Sequence, residues 1–272
     1  MITPLKPVDS QLFIASDPDA VASLTARLIV KAFSHILERK KTVLFIPSSG
    51  NTPLKTYQLL ATKYKSAIDW TRVTLIQMDE YTKHDMDETL YFKAFLSEHL
   101  ARPLGVGAFI SMHKTDGRGL FHPEDYAKKL LALGPVDFAL HGIGRNGHIG
   151  FNEPGSSPQS ETRIVSLTSA TQEDNFPNLD AAVRPKNGMT LGLNDFQKIR
   201  HTLLIATGEH KSFAIRNLVK KSYVSKTPAC VLWKNRDFGI IMDKAAAGVK
   251  DSAKKNCGGN IAMKTDHPSV AS

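Results

Sequence analysis

The chain has 272 residues, 42% of them apolar and 22% charged, with a formal net charge of +9. That length buries a sizeable core without disulfides, and the two cysteines, Cys230 and Cys257, exclude a disulfide framework and lack metal-ligand spacing. The lysines are scattered and enriched near the end, with no aromatic interleaving and no nucleic-acid motif, so the charge reads as a basic surface suited to anionic ligands and not as a nucleic-acid site.

Neither a signal peptide nor an apolar run of membrane-spanning length is read, which implies a soluble cytoplasmic protein without a membrane partner. Asp17 is positioned to cap a helix whose apolar residues Val21, Leu24, Leu28, Ile29, Ala32, Phe33 and Ile36 follow helical spacing up to Lys41. Val43 begins an apolar strand that runs into the polar loop Ser49, Gly50, Asn51 and Thr52, followed by helical periodicity over 54–61. The N–H groups of such a loop make an anion site, although a plain capped turn has the same sequence pattern.

A second strand, from Val73 to Met78, ends at Asp79 and Glu80. Two carboxylates there are candidates for acid–base work, because partial burial raises a carboxyl pKa; a helix cap or a surface pair is the plainer reading. Residues 87–100 predict a helix with Leu90, Phe92, Phe95, Leu96 and Leu100 inside. A short strand near Phe109 to Met112, a helix from Pro123 to Leu133 and a buried strand from Val136 to Leu140 follow. Alternating strands and helices argue a mainly parallel sheet.

That last strand empties into His141-Gly-Ile-Gly-Arg-Asn-Gly-His-Ile-Gly-Phe-Asn-Glu-Pro-Gly-Ser-Ser157, where open α/β sheets gather ligands. Asn146, His148 and Glu153 bring an amide, an imidazole and a carboxylate into one loop. Four glycines there free the backbone for positive φ or close approach. A dinucleotide loop is disfavoured, because Pro154 prevents the helix that should follow, and a lone structural histidine is the remaining plain reading.

Residues 158–185 are polar and turn-rich, with a short strand from Arg163 to Leu167 and few apolar anchors after it, which predicts a mobile lid over the site. Met189 to Leu193 and a strand from His201 to Thr207 come next. Lys211 opens a helix, where a cation opposes the helix dipole unless an anion is held nearby. Strands near Ala229 to Trp233 and Phe238 to Met242 close a single domain over 1–248, and the polar tail beyond Gly248 reads as disordered.

The segment Gly-Ile-Gly-Arg-Asn-Gly-His-Ile-Gly-Phe-Asn-Glu-Pro-Gly resembles the active-site signature of the glucosamine-6-phosphate deaminase/isomerase family. The 6-phosphogluconolactonases are more distant relatives that share the Gly-x-Gly-x-x-Gly-His core without Phe-Asn-Glu-Pro. Met78-Asp-Glu-Tyr81 is similar to a further family element, and Ser49-Gly-Asn-Thr-Pro53 to its Thr-Gly-Gly-Thr-Pro substrate loop, with Asn51 in place of a glycine. The likeness runs from about Val43 to about Asp243 and implies a Rossmann-like α/β fold with a lid.

It also implies roles. His148 opens the sugar ring, Asn146 and Glu153 orient that imidazole, and Asp79 abstracts the C2 proton. Ser49, Gly50, Asn51, Thr52, Glu80 and Lys211 contact substrate. Gln172 stands among the substrate contacts where the family has a phosphate-binding arginine, which leaves Lys211 as the main cationic contact; Arg184 or another lid residue is the alternative if the phosphate sits elsewhere. Leu90 replaces a serine of the family's Ser-Tyr pair beside Tyr91. Ser156 and Arg163 match an inter-subunit effector site, but Val165 replaces its lysine, so effector activation is not expected. The implied partner is a sugar phosphate, a homo-oligomer is compatible, and neither a metal nor a redox cofactor is implied. The expected reaction is deamination of D-glucosamine 6-phosphate to D-fructose 6-phosphate. Deamination of galactosamine 6-phosphate, 6-phosphogluconolactone hydrolysis and a non-catalytic sugar-phosphate sensor are the alternatives.

Overall fold

The computed structural model describes residues 11–249 except 116, 118 and 221–225; the tail expected to be disordered lies, from residue 250 on, outside the described residues. Seven strands form one sheet. In chain order they are β1 (Gln11–Ala15), β2 (Val43–Ile46), β3 (Val73–Ile76), β5 (Ala108–Ile110), β6 (Phe138–His141), β9 (His201–Ala206) and β10 (Asp237–Asp243). Their spatial order is β1-β10-β9-β6-β2-β3-β5, and every neighbouring pair is parallel. A smaller antiparallel sheet pairs β4 (Asp79–Tyr81) with β8 (Asn187–Thr190) and β8 with β7 (Arg163–Ser166).

Both faces of the large sheet are covered, and β2 shows how. Val43 and Phe45 enter one apolar cluster with Phe33, Tyr57 and Trp70, while Leu44 and Ile46 enter another with Met78, Tyr126 and Phe196. Successive side chains of a strand point to opposite faces, so a strand buried on both sides reads as an unbroken apolar run. Helices α1 (Pro18–Leu37), α2 (Asn51–Ala61), α3 (Phe92–Leu96), α4 (Arg102–Leu104), α5 (Pro123–Leu133), α6 (Ser169–Asn175), α7 (Leu193–Phe196) and α8 (Ser212–Val219) join the strands or cover them. At β2 and β6 the strand order reverses: the chain leaves β2 towards β3 and β5, and leaves β6 towards β9 and β10. The crevice between their carboxyl ends is where such a sheet accepts a ligand.

Asp17 caps α1 as expected, its Oδ1 accepting the Ala20 N–H at 2.8 Å. The absence of an apolar run of membrane-spanning length is corrected here: α1 is long and apolar enough by length and composition to cross a membrane. Its apolar stripe is instead spent on the sheet, with Val21, Ala26, Ile29 and Phe33 buried.

Four other expectations change. The continuous helix over 87–100 is a broken series: a 3₁₀ turn, Glu88–Leu90, then α3, a π-helical turn, Ser97–Ala101, and α4; Leu90 is exposed. Residues 229–233 belong to a 3₁₀ helix, Pro228–Lys234, because a short buried apolar run carries no period that separates strand from helix. The edge strand β1 was not foreseen. Residues 158–185 hold β7 and α6, and Leu167 and Phe176 pack with Tyr81, Tyr91 and Phe151 in a third apolar cluster. That segment is therefore anchored, where the sequence pattern predicted few apolar anchors.

Candidate active site

A cleft of about 680 Å³ opens at the strand-order reversal, a size suited to a small-molecule ligand. Its floor is the loop after β2 and the loop after β6, and Asp79, α6 and Lys211 complete the wall. Ser49, Gly50, Asn51 and Thr52 all line it, with Asn51 and Thr52 already in the first turn of α2. Gly50 takes φ +96° ahead of that turn, and no side chain caps the helix, so its first N–H groups remain for a ligand.

Asp79 and Glu80 separate by strand alternation. Asp79 and Tyr81 line the cleft, and Glu80 points the other way into full burial. The expectation that Glu80 contacts substrate is overturned: its carboxylate is occupied by protein donors. It accepts the N–H groups of Tyr81, Phe92 and Lys93 at 2.9, 3.1 and 2.9 Å and the Gln77 side-chain amide at 2.7 Å. Glu80 thereby caps α3 and fixes β4. Asp79 has no such satisfaction, because among the described residues no donor bonds its carboxylate. Burial, and then the neighbouring Glu80 charge, push its pKa up to about 8.

The imidazole of His148 also lines the cleft, and its support stands behind it. Nδ1 lies 3.7 Å from Glu153 Oε2, an ion-pair distance longer than a hydrogen bond. Asn146 braces both partners, donating from Nδ2 to Glu153 Oε2 at 2.7 Å and accepting the His148 N–H at 3.1 Å. Thr171 and Thr168 of the α6 region donate to the other Glu153 oxygen. Burial raises the Glu153 pKa, but the facing His148, Thr171 and Asn146 outweigh it and bring the value down to about 2. Glu153 is thus an ionised group behind the ring over the whole working pH range.

Two glycines allow this packing. A Cβ at Gly144 would stand 2.3 to 2.5 Å from the His148 ring, and one at Gly150, where φ is +53°, would stand 2.9 Å from Thr190 Oγ1 and 3.6 Å from Asp79 Oδ2. Gly144→Ala is expected to displace the imidazole and not the backbone, since the clash is with the end of a side chain. Turnover should fall at least about tenfold with a melting temperature shift of only a few degrees. Assaying both on one preparation checks this, and an unchanged rate would contradict the packing argument.

The cationic corner differs from expectation. Lys211 lines the cleft at the N-cap of α8. Burial lowers its pKa, the Asp174 charge opposes that, and Arg145 adds to it. Gln172 does not line the cleft: its amide donates to Leu167 O at 2.9 Å. Helical spacing explains this, since Thr171, Asp174 and Asn175 share the inward face of α6 and Gln172 lies off it. Arg184 is no substitute, being bonded to Leu179 O and 4.0 Å from Glu173. The cleft cation that the sequence reading missed is Arg145, held by Asp174. Its place inside the glycine-rich motif was the available signal.

Arg163 bonds Asn152 at 2.9 Å and Ser156 at 3.3 Å, a structural role within the loop. Among the described residues no cluster of three or more His, Cys, Asp or Glu side chains is arranged to hold a metal.

Comparison with known proteins identifies the family. The family model described as glucosamine-6-phosphate isomerases/6-phosphogluconolactonase matches residues 16–240. The chain is 38% identical over 237 residues to a glucosamine-6-phosphate deaminase of Streptomyces avermitilis, covering 85% of this chain and 89% of that one. Against the glucosamine-6-phosphate deaminase of Mycoplasma mycoides subsp. mycoides it is 31% identical, covering 90% and 100%. Its fold matches that of a monomeric glucosamine-6-phosphate deaminase with a TM-score of 0.77 at 23% identity, covering 88% and 100%. It also matches a 6-phosphogluconolactonase from Shewanella baltica with a TM-score of 0.68 at 20% identity, covering 87% and 99%. With residues 16–240 matched by the family model and most of its length shared with curated relatives, the chain belongs to the glucosamine-6-phosphate isomerase/6-phosphogluconolactonase family.

Proposed function

We propose that the protein is a glucosamine-6-phosphate deaminase, converting D-glucosamine 6-phosphate and water to D-fructose 6-phosphate and ammonia. The observation that carries this reading is Asp79: a largely buried carboxylate, accepting no hydrogen bond among the described residues, on the same cleft as a separately supported imidazole. Ring opening and carbon deprotonation are distinct proton transfers, and two groups are available for them. His148 accepts the anomeric hydroxyl proton and returns it to the ring oxygen as the C1–O5 bond breaks. Asp79 then takes the C2 proton and delivers it to C1 while the aldehyde oxygen gains the proton that the amine loses, which leaves a C1 alcohol and an imine at C2; water hydrolyses that imine to the ketone and ammonia. The substrate carbons exchange oxidation state between themselves, so no external oxidant or reductant enters.

Ser49 to Thr52 and Lys211 receive the phosphate, and the basic surface steers the anion inward. Residues 1–248 act as one domain in the cytoplasm, with the 158–185 segment, anchored through Leu167 and Phe176, as a fixed cover beside the cleft. A lactonase has no use for a carbon base, and the matched 6-phosphogluconolactonase of Shewanella baltica is 20% identical, against 38% for the deaminase of Streptomyces avermitilis. Relatives named as glucosamine-6-phosphate deaminases favour glucosamine over galactosamine. Incubation with a panel of hexosamine 6-phosphates tests this: equimolar ammonia and fructose 6-phosphate are expected from glucosamine 6-phosphate. Ammonia from galactosamine 6-phosphate alone would reassign the sugar, and binding without ammonia would leave a sensor.

A further inference from the structure

We infer that Arg145 is the second cation of the phosphate subsite, replacing the arginine that position 172 lacks, and that Asp174 occupies it until phosphate arrives. The inference rests on the sugar-phosphate reading above.

Among the described residues, Arg145 and Lys211 are the arginine and lysine side chains that line the cleft. They share one corner, because Arg145 lowers the pKa of both Lys211 and His210 while Asp174 raises both. Burial is the largest cause lowering the His210 pKa, and Lys211 and Arg145 add to it against the opposing charges of Asp174 and Asp243. Arg145 holds that carboxylate through Nε at 2.9 Å and through Nη2. The fork of two parallel N–H groups fits a phosphate equally well, and a phosphate dianion carries one more negative charge than the carboxylate.

The ion pair is placed for exchange. Arg145 is 54% exposed and Asp174 36%, and exposed pairs contribute little, so displacing the carboxylate costs little. If Asp174 stayed in place it would oppose the incoming dianion; once it turns away, two cations face two negative charges. Arg145 lies on the loop after β6, so the charge missing from α6 is supplied from the cleft floor.

The plainer account is a latch that fastens α6 to the motif loop. The two accounts predict different signs. If Arg145 binds phosphate, Arg145→Ala should weaken inorganic phosphate binding by about tenfold or more, since a hydrogen-bonded charge is removed. Asp174→Asn should tighten it, and Arg145→Ala should keep its full loss in the Asp174→Asn background. Arg145→Lys should recover part of the affinity, having charge without the fork. Calorimetric titration of the full chain with inorganic phosphate reads all four, with thermal melting to establish that each variant is folded. Equal losses in both single variants with no further loss in the double variant would establish the latch and overturn the proposal. Arg145→Ala with unchanged affinity, or a wild type without saturable phosphate binding, would also overturn it. Ammonia release by the wild type is scored separately: Arg145-dependent phosphate binding without ammonia would support this assignment and refute the deaminase.

Discussion

Asp79→Asn is expected to cut ammonia release by about 10²- to 10⁴-fold and at the same time to stabilise the protein, more so as pH rises. The first effect follows from chemistry, since an amide cannot accept a proton from carbon. The second follows from the environment that makes Asp79 a useful base. Its pKa rises from 3.8 to about 8 on folding, chiefly through burial. Below pH 3.8 the carboxyl is protonated in both the folded and the unfolded chain, and stability is insensitive to pH through this group. Between 3.8 and about 8 the unfolded carboxylate ionises while the folded one does not, so stability falls with rising pH. Above about 8 both are ionised and the cost is constant. At roughly 1.36 kcal/mol per pH unit the full cost is on the order of 5 kcal/mol.

Asparagine avoids that cost. The gap in melting temperature between variant and wild type should therefore widen from pH 4 to 8 and then level. The same pKa predicts that kcat/KM of the wild type rises with pH up to about 8, as the base loses its proton. Melting curves at five pH values and an ammonia assay are sufficient. A variant with full activity, or a gap that stays flat with pH, would refute the assignment. Stability and activity conflict at this residue, as expected where a charged group is held in burial for chemistry.

Much of this site is visible in the residues themselves. An apolar run into a glycine-rich loop marks β6 and its ligand-facing end, and the same pattern marks β2, because strands buried on both faces leave continuous apolar stretches. The neighbours Asp79 and Glu80 are chemically alike in sequence, and only the pairing of β4 with β8 decides which faces the cleft. One residue of register would exchange their roles. Position 172 fails for a related reason. The polar, turn-rich composition concealed α6, whose turn directs Asp174 inward and Gln172 away. Where the chain depends on local pattern its structure is legible, and where a side chain's direction depends on a distant partner it is not.

His148→Gln is expected to slow turnover of the closed pyranose by about 10²- to 10⁴-fold while leaving an open-chain substrate within about tenfold of wild type. Glutamine keeps a polar side chain of similar reach, so the cleft remains filled and hydrated, but it cannot shuttle a proton between two oxygens. The imidazole is supported for that work by an ionised carboxylate at 3.7 Å, which Asn146 holds while accepting the main-chain N–H of His148. Glu153, with its pKa brought down to about 2, keeps its charge at every pH at which the enzyme is assayed and stands as a fixed negative charge behind the ring. Asp79 lies on the β4 side of the cleft and depends on none of these contacts. A substrate analogue lacking both the C4 and the C5 hydroxyls can form neither a furanose nor a pyranose ring, and so it reaches Asp79 without needing His148. Rates for both sugars with wild type and variant separate the two proton transfers: a loss confined to the ring-forming sugar assigns ring opening to His148. An equal loss on both would place His148 in the carbon chemistry and leave the opening of the ring to another group.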